Sequence, residues 1–263
     1  MIPLLTNIGF ALYGLATLVA LAYWIFDKRA LLVGSRRLTT LAFLLQTLTI
    51  GFHVGKVGYP FLLEARDSYS FSAWVLAGLL LILSSKNRFE MAGVFILPAV
   101  MILETLARFS KEDYLGATGL ANSPWASAHI VFGFLSLSIF ILSFLMGIVY
   151  LFQEYQIKRK KIFKIFDKLP SLDLLDRLHA KALGAGFLLL TLGIVTGSAW
   201  AKSVKGVYFF DDPRQLWTLI AWLCYAFFFQ ARFTAGWRGR RGVLLSLIGF
   251  TVILFTFLQV RHA

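Results

Sequence analysis

The stretch that organises this chain runs from Gly197 to Arg241 and reads GSAWAKSVKGVYFFDDPRQLWTLIAWLCYAFFFQARFTAGWRGRR. It contains a helix end rich in small residues, a polar loop over 202–214, an apolar segment of membrane-spanning length and a cluster of arginines. Aromatic side chains are common where helices meet a membrane surface, but the density of aromatics in this loop also suits a flat apolar ligand. The stretch predicts a membrane helix preceded by a candidate ligand-binding loop.

The composition of the whole chain indicates a membrane protein. Of its 263 residues, 59% are hydrophobic, and the mean hydropathy is +0.75. Repeated apolar runs of about 18 or more residues predict transmembrane helices. A single cysteine, Cys224, excludes a disulfide framework. The net charge of +13 would suit nucleic acid in a soluble protein, but here it follows the predicted membrane topology, so no nucleic-acid partner is expected.

We predict an all-α polytopic membrane protein with about eight transmembrane helices, forming a single integral membrane domain over 1–263. Each span has about the length that a hydrocarbon core of roughly 30 Å requires. The predicted spans are 4–26, 38–56, 70–85, 90–107, 126–152, 182–201, 215–233 and 242–260.

The positive charges predict the orientation. One set of connections carries 18 lysines and arginines and the other carries 8, so the first set is cytoplasmic and both termini face outward. The predicted location is the bacterial cytoplasmic membrane. The longest cytoplasmic connection, 153–181, is strongly basic and suits a segment lying on anionic membrane lipid, with Ser171 as the N-cap of a second short helix. Docking of a cytoplasmic partner is the alternative role for this segment.

Four histidines are the candidate metal-binding residues. His53 lies near the outer end of span two, His129 opens span five and His262 is next to the C-terminus. An ionisable side chain within a span is a functional candidate, although a neutral imidazole bonded to a neighbouring helix is the alternative. His179 lies at the cytoplasmic start of span six, where we expect it among lipid headgroups.

Two outward histidines surrounded by aromatic residues and cations suit haem. Haem iron takes axial histidines, the porphyrin packs on aromatic and aliphatic groups, and the propionates bind cations. Trp125 precedes His129 by four residues, which places both rings on one helix face. The cations of the predicted outer rim are Lys56, Arg66, Lys202, Lys205, Arg214 and Arg261.

Glu104 is a carboxylate inside span four. We expect it to be protonated or bonded to a polar group on a neighbouring helix, because an unpaired charge there is costly. A proton relay is the alternative role. Glu104 and Pro98 are the sequence support for a third class of function, a transporter of another small molecule.

The stretch from 197 to 241 resembles the CcsA/ResC-type cytochrome c assembly proteins and their HemX relatives, and the likeness is strong over roughly 120–260. The segments beginning at Leu175 and Trp125 also resemble the family, the latter being similar to the span that bears an outward haem-ligand histidine, here His129. The positions in register with the family's tryptophan-rich loop are Gly197, Trp200, Ala201, Gly206, Tyr208, Asp212, Pro213, Trp217, Leu219, Ile220, Trp222, Leu223, Tyr225, Ala226 and Arg232.

The chain departs from the family pattern at several positions. Three loop tryptophans are Lys205, Phe209 and Asp211, and the histidine at the cytoplasmic end of span seven is Gln230. The Lys-Glu pair that follows Asp-Pro in the pattern is Arg214-Gln215. These changes favour an accessory or HemX-like member of the family over the assembly enzyme itself.

The resemblance implies a haem-handling protein of cytochrome c maturation, a haem transport or assembly factor rather than a stand-alone enzyme. Haem would lie at the outer face between spans two, five and eight, with 202–214 as a lid and a ResB/CcsB-type assembly partner. The alternative is a HemX-like regulator of haem biosynthesis that acts on a cytoplasmic haem-synthesis enzyme. The candidate haem-binding residues are His129, His53, His262, Trp125, Trp200, Tyr208, Asp212, Arg214 and Trp217, with His129 and His53 as iron ligands.

Overall fold

Eight α-helices make up the regular structure of the described residues in a computed structural model of the chain, which describes 2–57, 65–86, 89–110, 123–160, 169–208 and 213–259. The fold is therefore the all-α arrangement that the sequence predicts. The helices are α1 (Ile2–Phe26), α2 (Arg29–Val57), α3 (Ala65–Ser84), α4 (Ala92–Phe109), α5 (Pro124–Lys158), α6 (Leu172–Lys205), α7 (Pro213–Thr234) and α8 (Arg240–Gln259).

The helices have the dimensions of membrane spans. Within the described residues, α1 to α7 each contain a segment long and apolar enough to cross a bilayer, and α8 falls outside that set. Large apolar side chains also face outward, as Leu41, Leu44 and Leu48 do along α2. Such a surface is stable against lipid tails, which are as apolar as leucine. The chain is a multi-pass membrane protein.

Contacts divide the chain into two helical units, α1–α4 and α5–α8. In the first unit, small residues such as Ala16, Ala42, Ala73 and Ala77 are fully buried, so the helices approach one another closely. The prediction of one integral membrane domain over 1–263 stays a prediction.

A polar cluster joins all four helices of the first unit. The Gln46 amide on α2 donates to Oε1 of Glu104 on α4 at 2.6 Å and to the hydroxyl of Ser70 on α3 at 3.0 Å. The hydroxyl of Tyr13 on α1 donates to Oε1 of Gln46 at 2.8 Å. The prediction that Glu104 bonds to polar groups on neighbouring helices is confirmed.

The second unit has an aromatic core. The rings of Phe140 and Tyr225 stack nearly parallel, with centroids 4.4 Å apart. The eight buried side chains of this core come from all four helices: Leu137, Phe140, Leu183, Ala221, Tyr225, Phe228, Phe250 and Ile253.

Helices α5 and α6 pair in antiparallel register through a ladder of polar contacts. His129 Nδ1 contacts the carbonyl oxygen of Gly193 at 2.7 Å, Ser136 Oγ donates to the carbonyl of Gly186 at 2.9 Å, and Ser143 Oγ donates to the carbonyl of His179 at 3.2 Å. Successive contacts step by seven residues along both helices, which is the spacing that keeps one seam of a helix against its partner. This register positions His129 at one end of the pair and His179 toward the other.

The basic segment 153–181 differs from its prediction. Helix α5 continues to Lys158, and α6 begins at Leu172, ten residues before the predicted start of span six. Ser171 is the N-cap as predicted, because its hydroxyl accepts from the backbone N–H of Leu174 at 3.4 Å. The helix that it caps is α6 itself, so the predicted separate short helix is wrong. Residues 161–168 lie outside the described part of the chain.

Candidate functional site

The candidate site is built around His129 in the second turn of α5. Its Nδ1 lies 2.7 Å from the carbonyl oxygen of Gly193 on α6. A carbonyl oxygen can only accept a hydrogen bond, so Nδ1 carries the proton of the neutral ring and Nε2 keeps its lone pair. Within the described residues Nε2 makes no hydrogen bond. The side chain therefore presents one unused coordinating nitrogen.

The surface of α6 beside His129 is formed by small residues. A Cβ atom at Gly197 would lie 2.6 Å from Nδ1 and 2.9 Å from Cε1 of the imidazole. Contacts this short do not occur between real Cβ atoms and their neighbours, so the ring occupies the space that a side chain at 197 would need. Glycine at this position allows the imidazole to reach the α6 backbone.

Trp200 packs on the imidazole one turn further along α6. The two ring centroids are 6.4 Å apart and the planes are inclined by 24°. The indole Nε1 of Trp200 is buried and has no hydrogen-bond partner within the described residues. A buried donor without a partner is rare in proteins and asks for a specific explanation, such as a bound group. The structure thus brings together two of the predicted site residues, His129 and Trp200.

Three other predicted residues lie at the same end of the second unit. Trp125 opens α5 and is 50% exposed, and Tyr208 follows α6 and is 58% exposed. The ammonium group of Lys202 lies 5.1 Å from the centre of the Tyr208 ring. Trp217 on α7 packs edge-on against Phe255 on α8, with centroids 4.8 Å apart.

The structure does not bring the remaining predicted residues into contact with His129 within its described part. His53 lies on α2 in the first unit, where its Nε2 is 3.6 Å from Oδ2 of Asp67. Asp212 and His262 lie outside the described residues, and Arg214 belongs to the first turn of α7 without a described side chain. The roles proposed for these four residues stay predictions.

The predicted lid 202–214 is shorter than its sequence suggests. Residues 202–205 are the last turn of α6, and Pro213 begins α7. Gly206 ends α6 in the left-handed conformation at φ +76°, with its N–H bonded to the carbonyl of Lys202 at 3.1 Å. Glycine adopts this conformation without the steric cost that a Cβ imposes. The connection between the helices is therefore 206–212, of which 209–212 are not described.

His179 does not lie among lipid headgroups as predicted, because α6 begins two turns before it. Its side chain is 1% exposed in the second unit. Nδ1 lies 2.9 Å from the carbonyl oxygen of Ser143, and Nε2 lies 2.9 Å from the hydroxyl of Ser246 on α8. The carbonyl of Ser143 can only accept, so Nδ1 carries a proton. The hydroxyl of Ser246 also donates to the carbonyl of Val243 on α8 at 2.7 Å. His179 joins α5, α6 and α8.

Sequence reasoning missed a buried ion pair in the second unit. Asp176 on α6 accepts from Nη2 of Arg232 on α7 at 2.7 Å and from Nη1 at 3.2 Å. It also accepts from the backbone N–H of Gly239, in the turn before α8, at 2.9 Å. The sequence analysis matched Arg232 to the family pattern without giving it a partner, and it did not single out Asp176. Their places within the segments that resemble the family were the available signal.

Known proteins match this chain over most of its length. The family profile described as cytochrome C assembly protein covers residues 62–263. The cytochrome c biogenesis protein CcsA of Porphyra purpurea is 28% identical over an alignment that covers 97% of this chain and 93% of that protein. The proteins of the same name from Guillardia theta and Prochlorococcus marinus (strain MIT 9301) are 30% and 29% identical and cover 85% and 86% of this chain.

The fold and the site thus define a multi-pass membrane protein with eight helices in its described part and an imidazole stacked on an indole at one end of the second unit. The chain belongs to the cytochrome c assembly protein family. The resemblance noted in the sequence is confirmed, and the matches also extend into the first 110 residues, where the motifs are sparse.

Proposed function

We propose that this chain acts in cytochrome c maturation as a haem-handling protein, holding haem as cargo at the outer face of the membrane for attachment. The relatives named above are cytochrome c biogenesis proteins, which favours assembly over the alternative of a regulator of haem synthesis. The observation that carries the proposal is the His129 imidazole, whose Nδ1 is bonded to α6 and whose Nε2 has no partner within the described residues.

The residues around His129 have the chemistry that a haem group needs. Nε2 supplies a nitrogen ligand for iron, the indole of Trp200 supplies an aromatic wall, and its buried N–H supplies a donor for an anionic group. Trp125, Tyr208 and Trp217 add aromatic surface at the same end of the unit. Lys202 adds a positive charge there, which suits a propionate.

His53 is the second proposed iron ligand, and His262 is a further candidate. The contact of His53 with Asp67 resembles the carboxylate–histidine pairs that orient metal ligands. In this arrangement Nε2 faces the carboxylate, so coordination through Nε2 would require the ring to turn. We therefore rank His129 before His53 as the ligand to test.

Two further elements of the proposal concern the surroundings of the protein. The bias of 18 to 8 in basic residues supports an outward-facing site, and we propose the bacterial cytoplasmic membrane as the location of the chain. The short outward connections support the need for a ResB/CcsB-type partner that holds the apocytochrome. Copurification of such a partner with a tagged copy of this chain would test the second point.

The test is an absorption spectrum of the protein purified in mild detergent, before and after addition of haemin. We expect a Soret band with sharp reduced α and β bands in the wild type and their loss in His129→Gly. Added imidazole should restore the bands in His129→Gly by occupying the vacated ligand position, which separates loss of ligation from loss of folding. A wild type that takes up no haemin stoichiometrically, or a variant with an unchanged spectrum, would refute the proposal.

His53→Ala is the matched comparison in the first unit. If His53 binds haem iron, this variant should alter the absorption spectrum of the bound haemin. An unchanged spectrum would remove His53 from the ligand set and leave His129 in place.

A further inference from the structure

We infer that three residues of α6, namely Gly193, Gly197 and Trp200, position His129 by fixing the tautomer and the plane of its imidazole. This inference rests on the proposed function for its purpose, since the fixed ring presents Nε2 to the haem iron. The three residues are spaced by four and then three positions, so they lie on one face of the helix. They are positioning residues, because they act through His129.

The carbonyl of Gly193 determines where the ring proton resides. At 2.7 Å from Nδ1 it can only accept, so the Nδ1–H tautomer is favoured over the Nε2–H tautomer. Histidines that bind metals commonly donate their second ring N–H to a carbonyl or carboxylate, which fixes the tautomer and raises the basicity of the coordinating nitrogen. Such a bond is thus already made by the main chain of the partner helix.

Gly197 determines how closely the ring approaches α6. Because a Cβ at this position would lie 2.6 Å from Nδ1 and 2.9 Å from Cε1, alanine would push the imidazole away from the Gly193 carbonyl. Ordinary Cβ contacts begin at 3.4 Å, so the ring atoms now at 2.6 and 2.9 Å must move away from α6, and a displacement of that size lengthens and misaligns the hydrogen bond. Gly197 is therefore required for the bond even though it makes none itself.

Trp200 limits rotation of the ring about its attachment. The indole lies 6.4 Å from the imidazole, centroid to centroid, with planes inclined by 24°. The indole thus flanks the imidazole in the orientation in which Nδ1 meets the Gly193 carbonyl. The direction of Nε2 is fixed by the same contacts.

The first test uses haem-free protein and needs no activity. Nitrogen-15 NMR of protein labelled at histidine, in bilayers, reports the tautomer of each ring, and His129→Asn identifies the His129 signals. We expect the Nδ1–H tautomer in the wild type and its loss, or a mixture of tautomers, in Gly197→Ala. A wild-type His129 ring protonated on Nε2 overturns the inference, and this measurement on the wild type stands even if the variant fails to fold.

The second test is a haemin titration of Gly197→Ala against Gly184→Ala. Gly184 lies on the same helix, and a Cβ there would be 3.8 Å from Phe229, an ordinary contact. Loss of an orienting partner typically lowers metal affinity about 10- to 100-fold, so we expect that decrease for Gly197→Ala and none for Gly184→Ala. An unfolding midpoint of haem-free Gly197→Ala equal to that of the wild type would exclude a general loss of structure.

The outcomes separate this inference from the proposed function. Unchanged affinity and tautomer in Gly197→Ala would overturn the positioning role while haem binding stands. A wild type with the Nδ1–H tautomer that binds no haemin would refute haem handling, and the part of the inference that concerns the ring alone would be supported.

Discussion

Arg232 on α7 donates two hydrogen bonds to the carboxylate of Asp176 on α6, at 2.7 and 3.2 Å, and the side chains are only 12% and 9% exposed. With the N–H of Gly239 as a third donor, the carboxylate connects α6, α7 and the turn that precedes α8. The pair combines a bidentate geometry with low exposure, and removing one partner would leave the other charge buried.

Asp176→Asn should therefore destabilise the protein strongly. Breaking a buried pair by removing one charge typically costs about 3–5 kcal/mol, because the guanidinium remains buried without its counter-charge. Thermal or denaturant unfolding in detergent would measure the change. Asp173→Asn is the control, since Asp173 pairs with Arg177 one turn away at the surface and such pairs contribute about 0–1 kcal/mol. Equal losses for the two variants would contradict the structural importance of Asp176.

Glu104→Gln should be tolerated, whereas Glu104→Ala should not. In the wild type the Gln46 amide donates to Oε1 of Glu104 at 2.6 Å, and a glutamine at 104 keeps an oxygen that can accept this hydrogen bond. Alanine removes the acceptor and leaves a cavity. We expect a change within about 1 kcal/mol for the first variant and a loss of about 1–3 kcal/mol or more for the second. If Glu104→Gln abolishes function at full stability, a proton-transfer role for the carboxyl replaces the structural one.

Ser246→Ala should lower stability and leave haemin binding unchanged. It removes the hydroxyl 2.9 Å from Nε2 of the buried His179, which then lacks a partner at a cost of about 1–3 kcal/mol. Thr251→Ala is the control on the same helix, because its exposed hydroxyl bonds, among the described residues, to the carbonyl of Leu247 within α8 alone. Unfolding midpoints and haemin titrations of both variants would be compared. A shifted Soret band in Ser246→Ala would show that His179 takes part in the haem site.

Gly186→Ala should destabilise the second unit by overpacking. The new Cβ would lie 2.8 Å from Cε1 of Phe140, whose ring is held against Tyr225. Overpacking of this kind costs about 1–3 kcal/mol. Gly184→Ala, two residues earlier, meets no such contact and should gain up to about 1 kcal/mol from helix propensity. Changes of opposite sign in the free energy of unfolding, each relative to the wild type, would support the register of α5 against α6. Changes of the same sign would contradict it.

The seven-residue spacing of His129, Ser136 and Ser143 can be read from the sequence, but the helix that packs against these residues cannot. The spacing marks one seam of α5, but the groups that meet the seam lie 64, 50 and 36 residues away along the chain. Local patterns carry no information about which helix packs on that seam or in which register. For the same reason the sequence did not show that Asp176 and Arg232 form a pair.

Hydropathy by itself determined the all-α class and the approximate positions of the spans, and Trp125 together with the family resemblance made His129 a candidate, because these depend on residues near one another in sequence. The motif pattern likewise determined the family before any fold was known. Only the tertiary structure decided that the proton of His129 lies on Nδ1, that His179 is buried and that Asp176 meets Arg232. Each of these depends on the antiparallel pairing of distant helices, in which a shift of one residue would turn every contact to another face.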